Sequence, residues 1–209
     1  MLARQAVQKS LVVLKNDNNV LPLSKTATVA LAGSSAQNTG NQCGGWTITW
    51  QGMTGDNVPG ATSIRTAMEA EIGVGNVLYS ANGSNTAGAQ VAVAVIGETP
   101  YSEGMGDKVD LAVPEAPTVK ALKAAGIPVV VVLIAGRPMI LDSILDSADA
   151  VVMAWLPGSE GAGVTDILFG DVSPTGKLPM TWPRAMDQIP INMGDACDPL
   201  FPYGHGLTY

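Results

Sequence analysis

The chain has 209 residues, of which 46% are hydrophobic and only 14% charged, with a formal net charge of −7. That length holds ample core for one large domain, and a charged fraction well below the usual quarter suits strands covered on both faces. The 11 lysines and arginines are scattered rather than clustered, which argues against nucleic acid or an anionic membrane surface as partner.

No apolar run approaches the roughly 18 residues of a membrane-spanning helix. The longest, VVVVLIA at Val129 to Ala135, stops at Gly136 and Arg137. The opening MLARQAVQKSLVVLKN has alternating charge and helical spacing instead of a charged head before an apolar block, so it is not read as a signal peptide. Cys43 and Cys197 form no CxxC pair, and His205 is the only histidine, so neither a metal site nor another cofactor is expected. Both cysteines are expected to be free, buried thiols.

In chain order, Leu2, Ala6, Val7, Leu11 and Leu14 recur at three- and four-residue steps and predict an amphipathic helix ending near Asn16. TVALAG (Thr28 to Gly33) reads as a short buried strand, followed by a long Gly/Asn/Gln loop to Gly60. Thr62 is placed to cap a helix through Glu71. NVLY (Asn76 to Tyr79) and VAVAVI (Val91 to Ile96) follow as strands, then a helix over Pro114 to Ala125 and the strand PVVVVLIAG. Pro138 opens a helix to about Ser147. AVVMAW (Ala150 to Trp155) is a strand, Glu160 to Phe169 a helix, and LPMTWP an edge strand bounded by proline. Apolar strands without alternation, interleaved with helices, predict an α/β three-layer sandwich: about six mostly parallel strands, helices on both faces and an antiparallel edge strand. No linker or repeat interrupts residues 1–209, which are read as one domain.

Ligands of such sheets sit beyond the carboxyl ends of the strands. Four loops should therefore share one rim: GSSAQNTGNQCGGWTITWQG, GETPYSEGMGD, AGRP and LPGSEG. The first carries Trp46 and Trp50 among Gly, Asn, Gln and Thr, where an aromatic can stack on the apolar face of a sugar ring or simply pin the loop. No GxGxxG opens a helix, no GxxxxGK[ST] occurs, and there is no GxSxG elbow. Carboxylates remain. Glu103, flanked by Ser102 and Gly104 in a loop stiffened by Pro100, is a candidate general acid, and Glu98 and Asp107 are candidates for the second carboxylate that a paired-carboxylate mechanism needs. Glu98 follows its strand directly and is read as a structural group that hydrogen-bonds nearby backbone. A solvated acidic loop is the plain alternative, and spacing alone does not choose between them.

CGGWTITWQG, GETPYSEGMGD, AGRP, AWLPGSEGAGVTDILFGDVSPTGKLPMTWP and the closing FPYGHGLTY together resemble the second domain of family-three glycoside hydrolases, over about Ala6 to Tyr209. Within that family they are most similar to exo-β-glucanases and β-glucosidases. The resemblance implies a preceding TIM-barrel domain that supplies an aspartate nucleophile and is absent from this chain. It implies that Glu103 is the catalytic acid/base, that Trp50 is one wall of the leaving-group subsite, and that Trp46 supports that wall. The substrates implied are β-glucan oligosaccharides or β-glucosides, hydrolysed with retention in the periplasm or outside the cell, and the chain alone is expected to be inactive. A carbohydrate-binding or purely structural α/β domain, or a β-xylosidase relative, remains the alternative. Two departures stand out: only SANGSNTAGAQ joins the strands at Tyr79 and Val91, where the family usually has a helix, and YGHG stands where FGYG is common.

Overall fold

A computed structural model describes residues 2–209. In chain order the elements are α1 (Leu2–Ser10), β1 (Val12–Asn16), β2 (Val29–Ala32), α2 (Thr39–Cys43), α3 (Ile64–Ile72), β3 (Val77–Tyr79), β4 (Val91–Gly97), α4 (Ala116–Ala124), β5 (Val129–Ile134), α5 (Asp142–Leu145), β6 (Ala150–Trp155) and α6 (Gly161–Leu168). The strands form one six-stranded sheet in the order β1-β6-β5-β4-β2-β3. All neighbours run parallel except β1, which lies antiparallel along β6.

Successive side chains of a strand point to opposite faces, and both faces here are covered. Val29, Leu31, Val93, Val95, Val130 and Val132 pack with Val7 of α1, Ile64 and Met68 of α3, and Val164 and Ile167 of α6. Ala30, Ala32, Ala92, Ala94, Val131 and Met153 face Val119 and Leu122 of α4, Ile144 of α5 and the fully buried Trp182. The expected three-layer architecture is therefore present, with its antiparallel edge.

Five elements differ from the sequence reading, one being α2, a short helix inside the stretch read as a loop and capped by the Asn38 side chain, which accepts from Asn41 N–H at 2.9 Å. The first helix stops at Ser10, and residues 12–16 are the antiparallel edge strand β1. LVVL fits a helical stripe and a buried strand equally well; the free edge of β6 decides, with Val12 opposite Met153. LPMTWP is consequently not in the sheet. It makes one antiparallel bridge, Trp182 to Phe201, with the carboxyl-terminal segment, while the Trp182 indole donates to the Met139 carbonyl at 2.8 Å. The helix expected from Pro138 shrinks to the single turn α5, because Ile140 N–H is committed to the Leu111 carbonyl at 2.8 Å. Finally, α3 is capped by Ser63, not Thr62: the Ser63 hydroxyl accepts from Thr66 N–H at 3.1 Å.

The short connection over residues 80–90 contains no helix, yet the sheet is complete. It crosses from β3 to β4 on the α4 face, where Gly83 abuts Leu122 and Thr118. The YGHG variation is structural: His205 stacks on Phe201 with centroids 4.6 Å apart, and its Nε2 lies 2.9 Å from the Leu14 carbonyl oxygen. Both cysteines are free, as expected, but neither is buried; Cys43 is half-buried and Cys197 exposed.

Candidate active site

Because β2, β4, β5 and β6 run parallel, their carboxyl ends open on one side of the sheet, and the four loops that leave them meet there. They enclose a cleft of about 340 Å³ lined by Gly45 and Trp46 from the first loop, Glu98 to Glu103 from the second, Gly136 from the third and Leu156 from the fourth. Buried Gln42 ties the loops at its back. Its amide donates to the carbonyls of Thr62 and Gly158, both at 3.1 Å, and accepts from Ile64 N–H at 3.0 Å.

The segment GETPYSEGMGD is organised around Glu98. Its side chain is only 2% exposed and is structural, but its partners are charged side chains instead of the nearby backbone expected: Arg137 Nε donates at 3.1 Å, Arg137 Nη2 at 2.7 Å and Lys108 Nζ at 2.8 Å. A buried carboxylate is tolerable only when paired in this way. Arg137 also donates to the Gly106 carbonyl at 2.7 Å and stacks its guanidinium 4.6 Å from the Tyr101 ring centroid. Burial and the Glu98 carboxylate push the Tyr101 phenol up. Gly106 lies so close beneath that ring that an added Cβ would sit 2.2 Å from Tyr101 Cδ2.

Glu103 begins a single 3-10 turn, Glu103–Gly106, with φ at +51°, a left-handed conformation unusual for a residue with a side chain. It is exposed at the mouth of the cleft and, among the described residues, belongs to no ion pair. The residue before it is buried and doubly held. Ser102 Oγ donates to the Trp50 carbonyl at 2.6 Å, and its backbone exchanges hydrogen bonds with the Gln51 side chain at 2.9 and 3.3 Å. The acidic loop and the tryptophan loop are thus latched together. The contact is close enough that a Cβ on Gly45 would lie 2.1 Å from the Tyr101 carbonyl oxygen.

Trp46 and Trp50 close a five-residue turn through Trp46 N–H to the Trp50 carbonyl at 3.0 Å. Their rings meet edge to face with centroids 6.3 Å apart. Both are exposed, Trp46 at 70% and Trp50 at 51%, so neither serves as a buried pin for its loop. The geometry brings Glu103 and Trp46 to the same cleft, while Trp50 lies on the other limb of the turn and contributes its carbonyl to Ser102. Asp107, outside the cleft lining, caps the end of the acidic turn.

Residues 11–209 match the family model described as the glycosyl hydrolase family 3 C-terminal domain. The chain belongs to that family. Among solved structures it is similar to an exo-1,3/1,4-β-glucanase from a Pseudoalteromonas species, with 42% identity and a TM-score of 0.94 over 99% of this chain and 36% of that one. A β-glucosidase from Listeria innocua superposes with a TM-score of 0.84 at 25% identity, covering 99% of this chain and 33% of that one. Among curated relatives, a lysosomal β-glucosidase of Dictyostelium discoideum is 35% identical over 99% of this chain and 29% of its own length. A β-xylosidase of Formosa agariphila is 30% identical over 99% of this chain and 33% of its length. The chain therefore spans about a third of the proteins it matches.

Within this family 3 domain, Arg137, Ser102 and Gln51 went unread in the sequence. A signal for the first was present: Glu98 and Arg137 each follow the apolar core of adjacent parallel strands, Gly97 pairing with Ile134. Opposite charges leaving neighbouring buried strands are a pair in waiting. Nothing local marks Gln51 or Ser102, since their contact spans 51 residues of sequence.

Burial alone raises the Glu98 pKa, but hydrogen bonds from Arg137 and Lys108 outweigh it and hold the carboxyl below its ordinary 4.5. A carboxylate with a folded pKa below its unfolded one adds stability that is complete above the unfolded value and lost as pH falls through the folded one. The wild-type melting temperature should accordingly drop below about pH 4.5, and Glu98→Gln should remove that part of the dependence. A residual slope is expected from Asp149 and Asp166, where burial is likewise outweighed, by Lys123 and by Arg4 with Gln8. Calorimetry of both proteins between about pH 6 and pH 3 checks this; identical slopes would mean that the pair adds no pH-dependent stability.

Proposed function

We propose that this domain supplies the catalytic acid/base of a retaining β-glucan exohydrolase or β-glucosidase, and that Glu103 is that residue. The carrying observation is the division between two carboxylates of one loop. Glu98 is buried and fully engaged by Arg137 and Lys108, whereas Glu103 stands exposed at the mouth of the cleft on a turn held from both sides. One carboxylate is structural, and the other is free to exchange a proton with a ligand.

A retaining glycosidase needs a second carboxylate about 5 Å from the acid/base. In the proposed enzyme a TIM-barrel domain outside these residues provides it as nucleophile. The exposed Trp46, Ile48, Trp50 and Met105, at 70%, 63%, 51% and 73%, support a covering surface over these two loops, as apolar exposure on this scale marks an interaction face. In the first step Glu103 gives its proton to the glycosidic oxygen as the barrel nucleophile takes the anomeric carbon. In the second, the resulting carboxylate removes a proton from the attacking water, and glucose departs with its β configuration retained. Trp50, supported by Trp46, stacks on the leaving-group sugar. Export to the periplasm or beyond is part of this reading, supported by a relative named as periplasmic β-glucosidase; fractionation of expressing cells tests it.

The β-xylosidase relative favours a second reading in which a pentose replaces the terminal glucose. The ratio of aryl β-xyloside to aryl β-glucoside turnover separates the two.

In the barrel-bearing enzyme, Glu103→Ala should slow substrates with poor leaving groups by roughly 10²–10⁴, the usual worth of general acid–base catalysis. A dinitrophenyl glucoside, which leaves unaided, should glycosylate the enzyme at near-normal rate, so that the intermediate accumulates. Azide needs no deprotonation and should restore turnover, releasing the β-glucosyl azide. Glu98→Ala should show lost stability without rescue. Rescue of Glu98→Ala, or an α-azide from Glu103→Ala, would reassign the carboxylates.

Trp50→Ala should reduce kcat/KM for laminaribiose or cellobiose by the equivalent of about 1–3 kcal/mol and affect aryl glucosides little. Wild-type efficiency on both disaccharides would exclude a stacking role.

A further inference from the structure

Glu103 occupies a strained backbone conformation in a four-residue turn of which only the last residue, Gly106, is buried, and such strain persists only where surroundings over-determine it. One side chain reaches three points of the segment that carries this turn. Arg137 grips Glu98 at its start with two hydrogen bonds, lies over the Tyr101 ring in its middle, and donates to the Gly106 carbonyl at its end. A guanidinium is a rigid planar fork, so these contacts fix the relative positions of all three points, which a flexible ammonium cannot do. Tyr101 in turn rests on Gly106, the last residue of the Glu103 turn.

Arg137 is not itself at the reaction. It is absent from the lining of the cleft and lines a separate groove with Leu111, Pro138 and Met180. Its hold on the loop is independent of the Ser102 latch, with which it shares no partner. We propose that Arg137 is a positioning residue for the proton-transfer steps: it sets the placement of the Glu103 carboxylate through Gly106 and Tyr101, without touching substrate. The inference rests on the reading of Glu103 as acid/base.

The test uses Arg137→Lys in the barrel-bearing enzyme, because lysine keeps a cation beside buried Glu98 and gives up the fork, the stacking and the Gly106 contact. kcat/KM is measured across aryl β-glucosides whose phenols differ in acidity. A misplaced acid should cost poor leaving groups about 10–100-fold, part of the usual worth of proton transfer, while a dinitrophenyl glucoside stays within about threefold. A merely structural arginine would instead lower every substrate equally, in step with the folded fraction. A uniform loss, or no loss, overturns the proposal.

Glu103→Ala measured on the same series keeps the two claims apart. If it shows no dependence on the leaving group, the acid/base reading itself fails. If it does while Arg137→Lys retains the wild-type dependence, only the positioning role falls. Should Arg137→Lys not fold, Arg137→Gln takes its place under the same criterion, since Lys108 still neutralises Glu98 while the amide gives up the fork and the stacking on Tyr101.

Discussion

Glu98 and Arg137 meet because β4 and β5 are adjacent and parallel, so residues just past their carboxyl ends emerge side by side. A carboxylate as buried as Glu98 would be intolerable alone, and the guanidinium that neutralises it cannot move without abandoning it. Once that pair is in place, Arg137 has one amino group left, and it binds the carbonyl of Gly106. The loop between them must then double back over Tyr101. The exposed turn bearing Glu103 is what remains outside.

The second constraint comes from the tryptophan loop. Ser102 is buried against it, with the Trp50 carbonyl and the Gln51 amide as partners. Glu103 is thereby caught between an ion pair on one side and a neutral hydrogen-bonded latch on the other. Such a double hold explains how a residue with a positive φ can persist in a loop that otherwise has little packing of its own. It also makes the aromatic turn and the carboxylate one mechanical unit, whatever ligand they meet.

Much of this was legible along the chain, for reasons that differ by element. β2, β4, β5 and β6 announced themselves because strands buried on both faces are continuously apolar, and the loops that leave them were therefore identifiable as one rim. Residues 12–16 were misread because LVVL satisfies helical and strand periodicities alike, and the deciding factor was the unpaired edge of β6, supplied about 140 residues later. LPMTWP differs in the opposite direction: its strand-like composition reflects burial of Trp182 against Met139, Trp155 and Phe201, not membership of the sheet.

The sequence by itself determined the layer architecture, the four-loop rim and the membership of glycosyl hydrolase family 3, because periodicity and contiguous motifs are local properties. It also singled out Glu103, as a carboxylate in a glycine- and proline-rich loop, and Trp46 and Trp50, as aromatics on a polar loop instead of in a strand. Only the tertiary structure decided which carboxylate of GETPYSEGMGD is locked away and which is left free, since that depends on an arginine 39 residues distant from Glu98. It likewise decided that Ser102 and Gln51 join two loops between which α3, β3 and β4 intervene. Hydrogen bonds and ion pairs between distant segments carry no periodic signature; they exist only once the parallel sheet has brought the strand ends together.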